Sequence, residues 1–321
     1  MTVTFKVTVT SWRNHLKNLD WYYPATRSKT LRYGFAVKKR LVAEKSKYQK
    51  IEIVETYDYG KMVILDEIPQ ACEMDEFILH EAMVHPTLCI HPSPVDVLII
   101  GGGGGGTLRE VLKHNTVRRA VMVEIDELAV HLWRDHIPSW DAGAFDDPRA
   151  EIHFEDGIHY IASTQDKFDV VLLDLSDPFE GSPSQKLFTQ DFYRDVKKVL
   201  KDQKGIVFLQ AESAVYGNHR DHLKIIADLG EIFANVQPYY AFIPMFESLY
   251  GFVLAGENLP TRKEIKSLPV AKIISERELA PLRFFDQETL TNAFSIPRYL
   301  REEAAETRPS DGLLNAYLSK S

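Results

Sequence analysis

The chain has 321 residues, of which 45% are hydrophobic and 26% are charged, a composition typical of a globular protein with a substantial core. Acidic residues outnumber basic residues by 46 to 38, which argues against a nucleic-acid-binding protein, because such proteins use basic residues to neutralise phosphates. The two cysteines, Cys72 and Cys89, lack the spacing of a disulfide framework or a zinc site, so we expect a reducing, cytoplasmic compartment and no bound metal. No stretch reaches the ~20 apolar residues of a membrane span, and we expect neither a signal peptide nor membrane attachment.

The chain divides into three segments by sequence pattern. Residues 1–92 contain alternating apolar residues with a turn at Tyr59-Gly60 and then a helical pattern, which predicts a small β-rich domain with a linker helix. Residues 93–257 alternate apolar runs with amphipathic stretches, which predicts an α/β fold, a Rossmann-like doubly wound parallel sheet. Residues 258–321 are charged and periodic, and they predict a C-terminal helical tail.

The middle segment contains several short apolar runs that are typical of strands buried on both faces of a parallel sheet. Amphipathic stretches between them predict the crossover helices. A further short strand is expected before the sequence FEDG. The predicted strands are VDVLII (95–100), RRAVMVEID (118–126), FDVVLLDLSDP (168–178) and KGIVFLQAE (204–212).

Six consecutive glycines, residues 101–106, follow the first of these strands. Glycine is costly to order, so six of them between a buried strand and a helix indicate a ligand close to the main chain and not a flexible linker. The spacing Gly101-x-Gly103-x-x-Gly106 matches a nucleotide-binding fingerprint, and Glu124 ends the next strand, where it can accept both ribose hydroxyls. No GK[ST] follows, which disfavours a triphosphate, so a dinucleotide and an S-adenosyl sulfonium remain as alternatives.

Two acidic stretches favour the sulfonium. Asp156 follows a short strand, where its carboxylate can accept a hydrogen bond from an adenine amino group or cap a helix. Asp174 and Asp177 end an apolar strand before Pro178. Turn chemistry explains Asp177, but it does not explain Asp174, because a buried unpaired carboxylate costs several kcal/mol. A cationic ligand beside Asp174 removes that cost.

These motifs resemble those of the polyamine aminopropyltransferases, the spermidine synthase family. The resemblance extends from about residue 45 to 255 and rests on YQKIEIVE, VILDEIPQACEMDEF, HEAMVHP, VLIIGGGGGGTLREVLKH, VEID, FDDPR, DG and DLSDP. DLSDP, the FEGSPSQKLF loop and the RYLREEAAETRPSD tail are most similar to thermospermine synthase and to triamine or agmatine aminopropyltransferases. The resemblance implies a small N-terminal β-domain, a Rossmann-like catalytic domain and a homodimer or homotetramer.

The resemblance also implies a reaction. Decarboxylated S-adenosylmethionine would be the co-substrate, with no tightly bound cofactor, and a polyamine or agmatine would accept the aminopropyl group. Asp174 would be the proton acceptor, and the stretch from Asp174 to Asp177 would line the acceptor site. From the residues alone, His80 is also consistent with a helix-face histidine bonded within the core. The positions that match the donor site are Gln49, His80, Gly101, Gly103, Gly104, Glu124, Asp156, Gly157 and Pro183.

Three positions depart from the family pattern. Gly104 replaces the acid of GGGDGG or GGGEGG, which holds the donor's amine, and Leu79 replaces a tyrosine of the acceptor site. Phe246 and Glu247, in PMFESLYG, replace a stretch similar to TYPSG. Glu247 or an acid of CEMDE is a candidate to supply the missing charge. The alternatives left open are an S-adenosylmethionine-dependent methyltransferase, a dehydrogenase and an inactive homologue.

Overall fold

The structure, a computed structural model, describes residues 17–25, 32–178, 181–279 and 281–307. The first sheet is an antiparallel meander whose five strands are neighbours in chain order. Gly60, with a φ of +68°, lies in the predicted turn between the third and fourth of these strands. The strands are β1 (Asp20–Tyr22), β2 (Phe35–Lys45), β3 (Lys50–Thr56), β4 (Lys61–Leu65) and β5 (Ile68–Cys72).

The second sheet has seven strands within the described ranges, in the order 11-12-10-9-6-7-8. The last five strands in this order run parallel to one another, which confirms the predicted Rossmann-like sheet. The strands are β6 (Asp96–Gly101), β7 (Arg119–Glu124), β8 (Ala150–Phe154), β9 (Val170–Asp174), β10 (Ile206–Ser213), β11 (Asn235–Ile243) and β12 (Ser248–Gly256).

Helices link the two sheets, connect the strands of the second sheet and follow β12. Those up to β11 are α1 (Glu76–Ile90), α2 (Gly106–Leu112), α3 (Glu127–His136), α4 (Gly157–Ser163), α5 (Gln190–Val199) and α6 (Arg220–Gly230). Those after β12 are α7 (Arg262–Lys266), α8 (Val270–Glu276), α9 (Gln287–Ala293) and α10 (Arg298–Ala304). Part of FEGSPSQKLF and the end of RYLREEAAETRPSD lie outside the described residues. No helix in the described ranges is long and apolar enough to cross a membrane.

Successive residues of β6 pack on opposite faces of the sheet. Val97 and Ile99 belong to the core that includes residues of α1 and α2. Leu98 and Ile100 belong to the core that includes residues of α4 and α5. Because both faces are buried, the strand is a continuous apolar run and does not alternate.

The strand order reverses beside β6. The chain passes from β6 to β7 and β8, and then returns to place β9 on the other side of β6. Gly101 and Asp174, the last residues of β6 and β9, are therefore paired neighbours. Ligands of open α/β sheets bind where the carboxyl ends of strands meet at such a reversal. The glycine loop and Asp174 both lie at this point.

The other edge of the sheet differs from the predicted parallel arrangement. β12 runs antiparallel to both β10 and β11, so the sheet is mixed. Residues 244–247 alone connect β11 to β12, and a connection of that length permits only an antiparallel return, because parallel neighbours need a crossover of about a dozen residues. Helix α6, β11 and β12 were not assigned from the sequence. The turn that connects β11 to β12, residues 244–247, was therefore not predicted either, and it lines the functional site.

Candidate active site

A cavity of about 410 Å³ lies at the carboxyl ends of the central parallel strands, between the glycine loop and the 244–247 turn. Residues from β4 and β5 of the first sheet complete its lining. The residues expected from the family resemblance to bind the donor or the acceptor all line this cavity: Gln49, Leu79, His80, Gly101, Gly103, Gly104, Glu124, Asp156, Gly157, Asp174, Asp177, Pro183, Phe246 and Glu247.

The protein's own packing requires glycine within the loop, as Gly101 and Gly103 show. Gly101 has a φ of +84°, and a Cβ there would lie 2.1 Å from the carbonyl oxygen of Asp174. A Cβ on Gly103 would lie 2.3 Å from Cζ3 of Trp133 and 3.1 Å from a carboxylate oxygen of Glu124. The glycine run is therefore explained in part by neighbouring strands and side chains, as well as by any ligand at the main chain.

Gly104 is in a different position from these glycines. Its φ lies outside the left-handed region, so a side chain there would not strain the backbone. An added Cβ would meet only the ring of Trp140, with 3.2 Å to Cε3. The loop thus has the backbone geometry for a side chain at this position, although the chain carries none.

Asp174 is held by two side chains from other elements. Thr107, in the first turn of α2, donates a 2.6 Å hydrogen bond to Oδ2. Gln210, near the end of β10, donates a hydrogen bond from Nε2 to Oδ1. An ionised carboxylate has about four acceptor sites, so both oxygens can still accept a hydrogen bond from a ligand. The two bonds orient the carboxylate at the cavity lining.

Glu124 is a buried carboxylate at the end of β7. Its Oε1 accepts a 2.9 Å hydrogen bond from the backbone N–H of Asp126. Burial, together with the negative charges of Asp126 and Asp174, raises the pKa of Glu124 to about 7. A ligand that donates hydrogen bonds to Glu124 would favour the ionised form.

Gln49 reaches the same region from the first sheet. Its amide nitrogen donates a 2.9 Å hydrogen bond to Oδ2 of Asp126, and Ser46 donates a 2.7 Å bond to the same oxygen. The other oxygen of Asp126 accepts from the backbone N–H of Ala129 and caps α3. Asp126 therefore fixes the Gln49 amide at the cavity lining and joins the two sheets.

His80 is hydrogen-bonded within its helix and also lines the cavity. Its Nδ1 lies 2.6 Å from Oε2 of Glu76, which also accepts a 2.9 Å hydrogen bond from Arg109. Although burial acts to raise the pKa of Glu76, the bond to His80 and the guanidinium of Arg109 lower it to about 2. The imidazole lies against Gly106, where an added Cβ would be 2.4 Å from Cε1.

Asp156 caps a helix and also lines the cavity. Its Oδ1 accepts a 2.8 Å hydrogen bond from the N–H of Ile158 at the start of α4. Asp156 is therefore a helix N-cap, as one of the two alternatives expected. Its second carboxylate oxygen can still accept a hydrogen bond from a ligand. Gly157 follows, and a Cβ there would lie 2.6 Å from Cγ2 of Ile100.

Another group of residues lies on the cavity lining beyond Asp174. Asp177 accepts a 3.1 Å hydrogen bond from Tyr250, whose ring centroid lies 5.1 Å from that of Phe246. Burial raises the pKa of Tyr33, and the negative charges of Glu247 and Asp177 raise it further, so both carboxylates lie near this phenol. Glu247 has a φ of +47°, an uncommon conformation for a residue other than glycine.

The acids of CEMDE do not line the cavity. Asp75 accepts a 2.7 Å hydrogen bond from the backbone N–H of Met245 and so holds the 244–247 turn. Glu73 accepts from a backbone N–H of β4, and Glu76 pairs with a histidine and an arginine. Among the candidates for the missing charge, only Glu247 lies on the cavity.

The charge of the cavity lining has one sign. No lysine or arginine of the described residues lines it, which favours a cationic ligand. Nor do the described residues contain a group of three or more His, Cys, Asp or Glu side chains suited to a metal ion. Five carboxylates line the cavity: Glu124, Asp156, Asp174, Asp177 and Glu247.

Several residues that complete the site were not predicted from the sequence. Gln210 is preceded by an apolar strand, as Asp174 is, and this signal could have identified it. Thr107 directly follows the glycines, but its spacing alone does not distinguish it from an ordinary helical threonine. Asp126 resembles any N-cap residue in sequence, and Trp133 and Trp140 resemble core residues.

Comparisons with known proteins agree on one class of enzyme. Residues 76–265 match the spermine/spermidine synthase domain, and residues 21–73 match the spermidine synthase tetramerisation domain. A polyamine aminopropyltransferase of Aeropyrum pernix is 39% identical over 266 residues, which cover 82% of this chain and 84% of that protein. One of Sulfurisphaera tokodaii is 40% identical over 270 residues, covering 84% of this chain and 88% of that protein.

Solved structures support the same class. A spermidine synthase in complex with the transition state analogue AdoDATO matches with a TM-score of 0.83 and 29% identity, covering 90% of this chain and 96% of that chain. The spermidine synthase of Thermotoga maritima matches with a TM-score of 0.81, the same identity and the same coverage. This chain belongs to the spermine/spermidine synthase family of transferases. The methyltransferase, dehydrogenase and inactive-homologue alternatives are not favoured.

Proposed function

We propose that this protein transfers the aminopropyl group of decarboxylated S-adenosylmethionine to an amine acceptor, a polyamine or agmatine, and releases methylthioadenosine. The observation that carries the proposal is the cavity lining of five carboxylates, with no lysine or arginine of the described residues beside them. Both substrates are cations: the donor has a sulfonium and an ammonium, and the acceptor has ammonium or guanidinium groups. Family membership and the AdoDATO complex of a related spermidine synthase support the same reaction.

In this proposal the nucleoside of the donor lies over the glycine loop. Glu124 accepts hydrogen bonds from the ribose hydroxyls, and Asp156 with Gly157 contacts the adenine, over which Pro183 closes. The main chain at Gly101 and Gly103 approaches the donor. Gln49 and His80 contact the rest of it, oriented by their bonds to Asp126 and Glu76.

The reaction is an in-line displacement at the aminopropyl carbon. The amine nitrogen forms a C–N bond as the C–S bond breaks, and the sulfonium becomes a neutral thioether, so the leaving group needs no proton. The nucleophile needs activation, because the ammonium form of an alkylamine has a pKa of ~10.4 and freeing its lone pair at pH 7 costs about 4.6 kcal/mol. Asp174 binds the ammonium and accepts one of its protons, and the electron pair freed from that N–H bond then forms the C–N bond, while Thr107 and Gln210 keep the carboxylate oriented.

The acceptor extends from Asp174 towards Asp177 and Glu247. Asp177 is positioned by the hydroxyl of Tyr250, and it binds a second cationic centre of the acceptor. Leu79 and Phe246 contribute apolar surface to the methylene chain between the charges. Glu247 adds a further negative charge at this end of the cavity.

The first sheet is the assembly domain in this proposal, since residues 21–73 match a tetramerisation domain. We propose a homodimer or homotetramer, with residues 1–92 as the N-terminal domain, 93–257 as the catalytic domain and 258–321 as the tail. Sedimentation of the purified protein measures the assembly directly. A monomer at micromolar concentration would contradict this part of the proposal.

The test of the reaction is a turnover screen with decarboxylated S-adenosylmethionine against putrescine, agmatine, spermidine, norspermidine and spermine. Methylthioadenosine formation that depends on the amine is the expected result, and Asp174→Asn is the matched inactive control. A parallel incubation with S-adenosylmethionine detects methyl transfer as S-adenosylhomocysteine. Nucleoside binding without turnover of any amine would contradict the proposal and identify an inactive binder.

A further inference from the structure

A loop of residues 214–218, between β10 and α6, forms part of the cavity lining. Val215 and Asn218 line the cavity, and Tyr216 is 72% exposed at the surface. Gly217 has a φ of +92°, which favours glycine in this bend. Because the segment is a short connection with an exposed tip, contacts from outside the loop are needed to hold it in one conformation.

The loop stands at the acceptor end of the cavity. Ser213, just before the loop, lies 2.9 Å from Ser248 between hydroxyl oxygens. The N–H of Ala214 donates a 2.8 Å hydrogen bond to the carbonyl of Leu249. Ser248 directly follows Glu247, so the 214–218 loop and Glu247 are neighbours at this end.

Helix α10, in the tail, holds the loop from the side away from the cavity. Tyr299 donates a 2.5 Å hydrogen bond from its hydroxyl to the carbonyl of Ala214, and its ring meets that of Tyr216 edge-on at 5.5 Å. Leu300 is 1% exposed and belongs to the same buried cluster as Ala214 and Tyr240. These contacts anchor α10 at the base of the loop.

A second anchor passes through His219. Its Nδ1 accepts a 3.2 Å hydrogen bond from the backbone N–H of Gly217. Because a backbone N–H can only donate, Nδ1 carries the lone pair, and the proton of the neutral ring is on Nε2. Nε2 lies 2.7 Å from Oε2 of Glu303, which accepts that proton's hydrogen bond. Glu303 therefore orients the imidazole that holds the bend at Gly217.

We propose that α10 positions the acceptor site: Tyr299 and Glu303 hold the 214–218 loop in place, and the loop determines how tightly the acceptor amine is bound. The proposal rests on the proposed aminopropyl transfer. Neither Tyr299 nor Glu303 lines the cavity, so both act through the loop and are positioning residues. The donor site, at Glu124 and Asp156, does not depend on this contact.

The test uses three variants: Glu303→Ala, Tyr299→Phe and the double variant that combines them. Each is compared with the control variant Glu302→Ala. Glu302 is a matched control because it is exposed on the same helix and, among the described residues, forms an ion pair with Arg298 one turn away. Two measurements are made on the full chain: steady-state KM values for each substrate, and hydrogen exchange of residues 214–218. We expect each single variant to raise the acceptor KM about three- to tenfold and the double variant more, since each removes one hydrogen bond.

The donor KM and the Kd for methylthioadenosine are expected to stay within about twofold of wild type in every variant. Exchange in the loop becomes faster in the three variants and not in Glu302→Ala. Glu303→Gln, which keeps an acceptor for the Nε2 proton, restores most of the acceptor affinity.

Two results would overturn the inference: an unchanged acceptor KM with wild-type exchange in the double variant, or an equal loss of donor and acceptor affinity. If the wild-type protein transfers no aminopropyl group, the proposed function fails. The exchange measurement still decides, without turnover, whether α10 holds the loop.

Discussion

Thr107 and Asp174 are joined by a 2.6 Å hydrogen bond across the point where the strand order of the second sheet reverses. Thr107 lies in the first turn of the helix that follows the glycine loop, and Asp174 ends the strand beside that loop. Gln210 approaches Asp174 from the next strand, β10. Three elements thus place one carboxylate at the cavity lining, and this arrangement leads to the first two predictions.

Asp174→Asn should reduce turnover by about 10²–10⁴-fold, because it removes the group that takes the amine's proton. The Kd for methylthioadenosine should change little, since the proposed nucleoside contacts are Glu124 and Asp156. Asp177→Asn is the matched control: it keeps the base and should mainly raise the acceptor KM. A variant at Asp174 with more than a tenth of the wild-type kcat at neutral pH would remove Asp174 from the mechanism.

Thr107→Val should lower kcat about tenfold by releasing one oxygen of Asp174 from its hydrogen bond, while nucleoside affinity stays near wild type. Thr107→Ser keeps the hydroxyl and should retain most of the activity. Single-turnover rates at saturating substrate measure the effect on chemistry. Equal rates for the serine and valine variants would show that the bond does not orient the base.

The raised pKa of Glu124, about 7, predicts a pH-dependent affinity for the nucleoside. Ribose hydroxyls donate to the ionised carboxylate, so binding strengthens as pH rises through 7. At pH 6 only about a tenth of Glu124 is ionised, which predicts a Kd for methylthioadenosine roughly tenfold higher than at pH 8. Glu124→Gln should abolish this dependence and raise the Kd. A wild-type Kd that is flat between pH 6 and 8 would contradict the ribose assignment.

Gly104→Asp should fold and bind decarboxylated S-adenosylmethionine more tightly, because the backbone at 104 accepts a side chain and a carboxylate there pairs with the donor's amine. A charge-assisted contact contributes about 1–3 kcal/mol, and intact S-adenosylmethionine should bind more weakly through carboxylate repulsion. Gly104→Asn is the neutral control of similar size. If both donors bind more weakly to Gly104→Asp and also to the control, another side chain occupies the space beside residue 104. If neither affinity changes, residue 104 lies away from the ligand.

Glu247→Gln should weaken acceptors with three or more cationic centres more than diamines, because only the longer amines reach past Asp177 to this carboxylate. The expected rise in spermidine KM is about three- to tenfold, with a smaller change for putrescine. Competition between the two amines in one reaction measures the change in preference. If the donor KM rises instead, Glu247 supplies the charge that the family places at position 104.

Much of the candidate site was predictable from local sequence. Strands β6, β7 and β9 are apolar runs that end at Gly101, Glu124 and Asp174, so the sequence indicates both the strand and the residue at its carboxyl end. Parallel strands bring those ends to one edge, and all three residues line one cavity. The family resemblance supplied the expected roles.

Other features had no local signal. The Tyr299–Ala214 contact joins residues 85 positions apart, and the Gln49–Asp126 bond joins the two sheets across 77 positions. The antiparallel β11 and β12 were also not assigned, although the short connection at 244–247 permits no other return.

The amino-acid sequence by itself determined the alternation of strands and helices from β6 to β10, the glycine loop and the acids at the strand ends, because hydrophobic periodicity and backbone conformational preferences act over a few neighbouring residues. Only the tertiary structure decided which side chains orient those acids. Thr107 and Gln210 bond to Asp174 from 67 and 36 positions away in the chain. Asp126 accepts hydrogen bonds from Ser46 and Gln49 of the first sheet's domain. Such partners are selected by the packing of whole elements, whose free energy depends on contacts distant in the chain, and so no short segment encodes them alone.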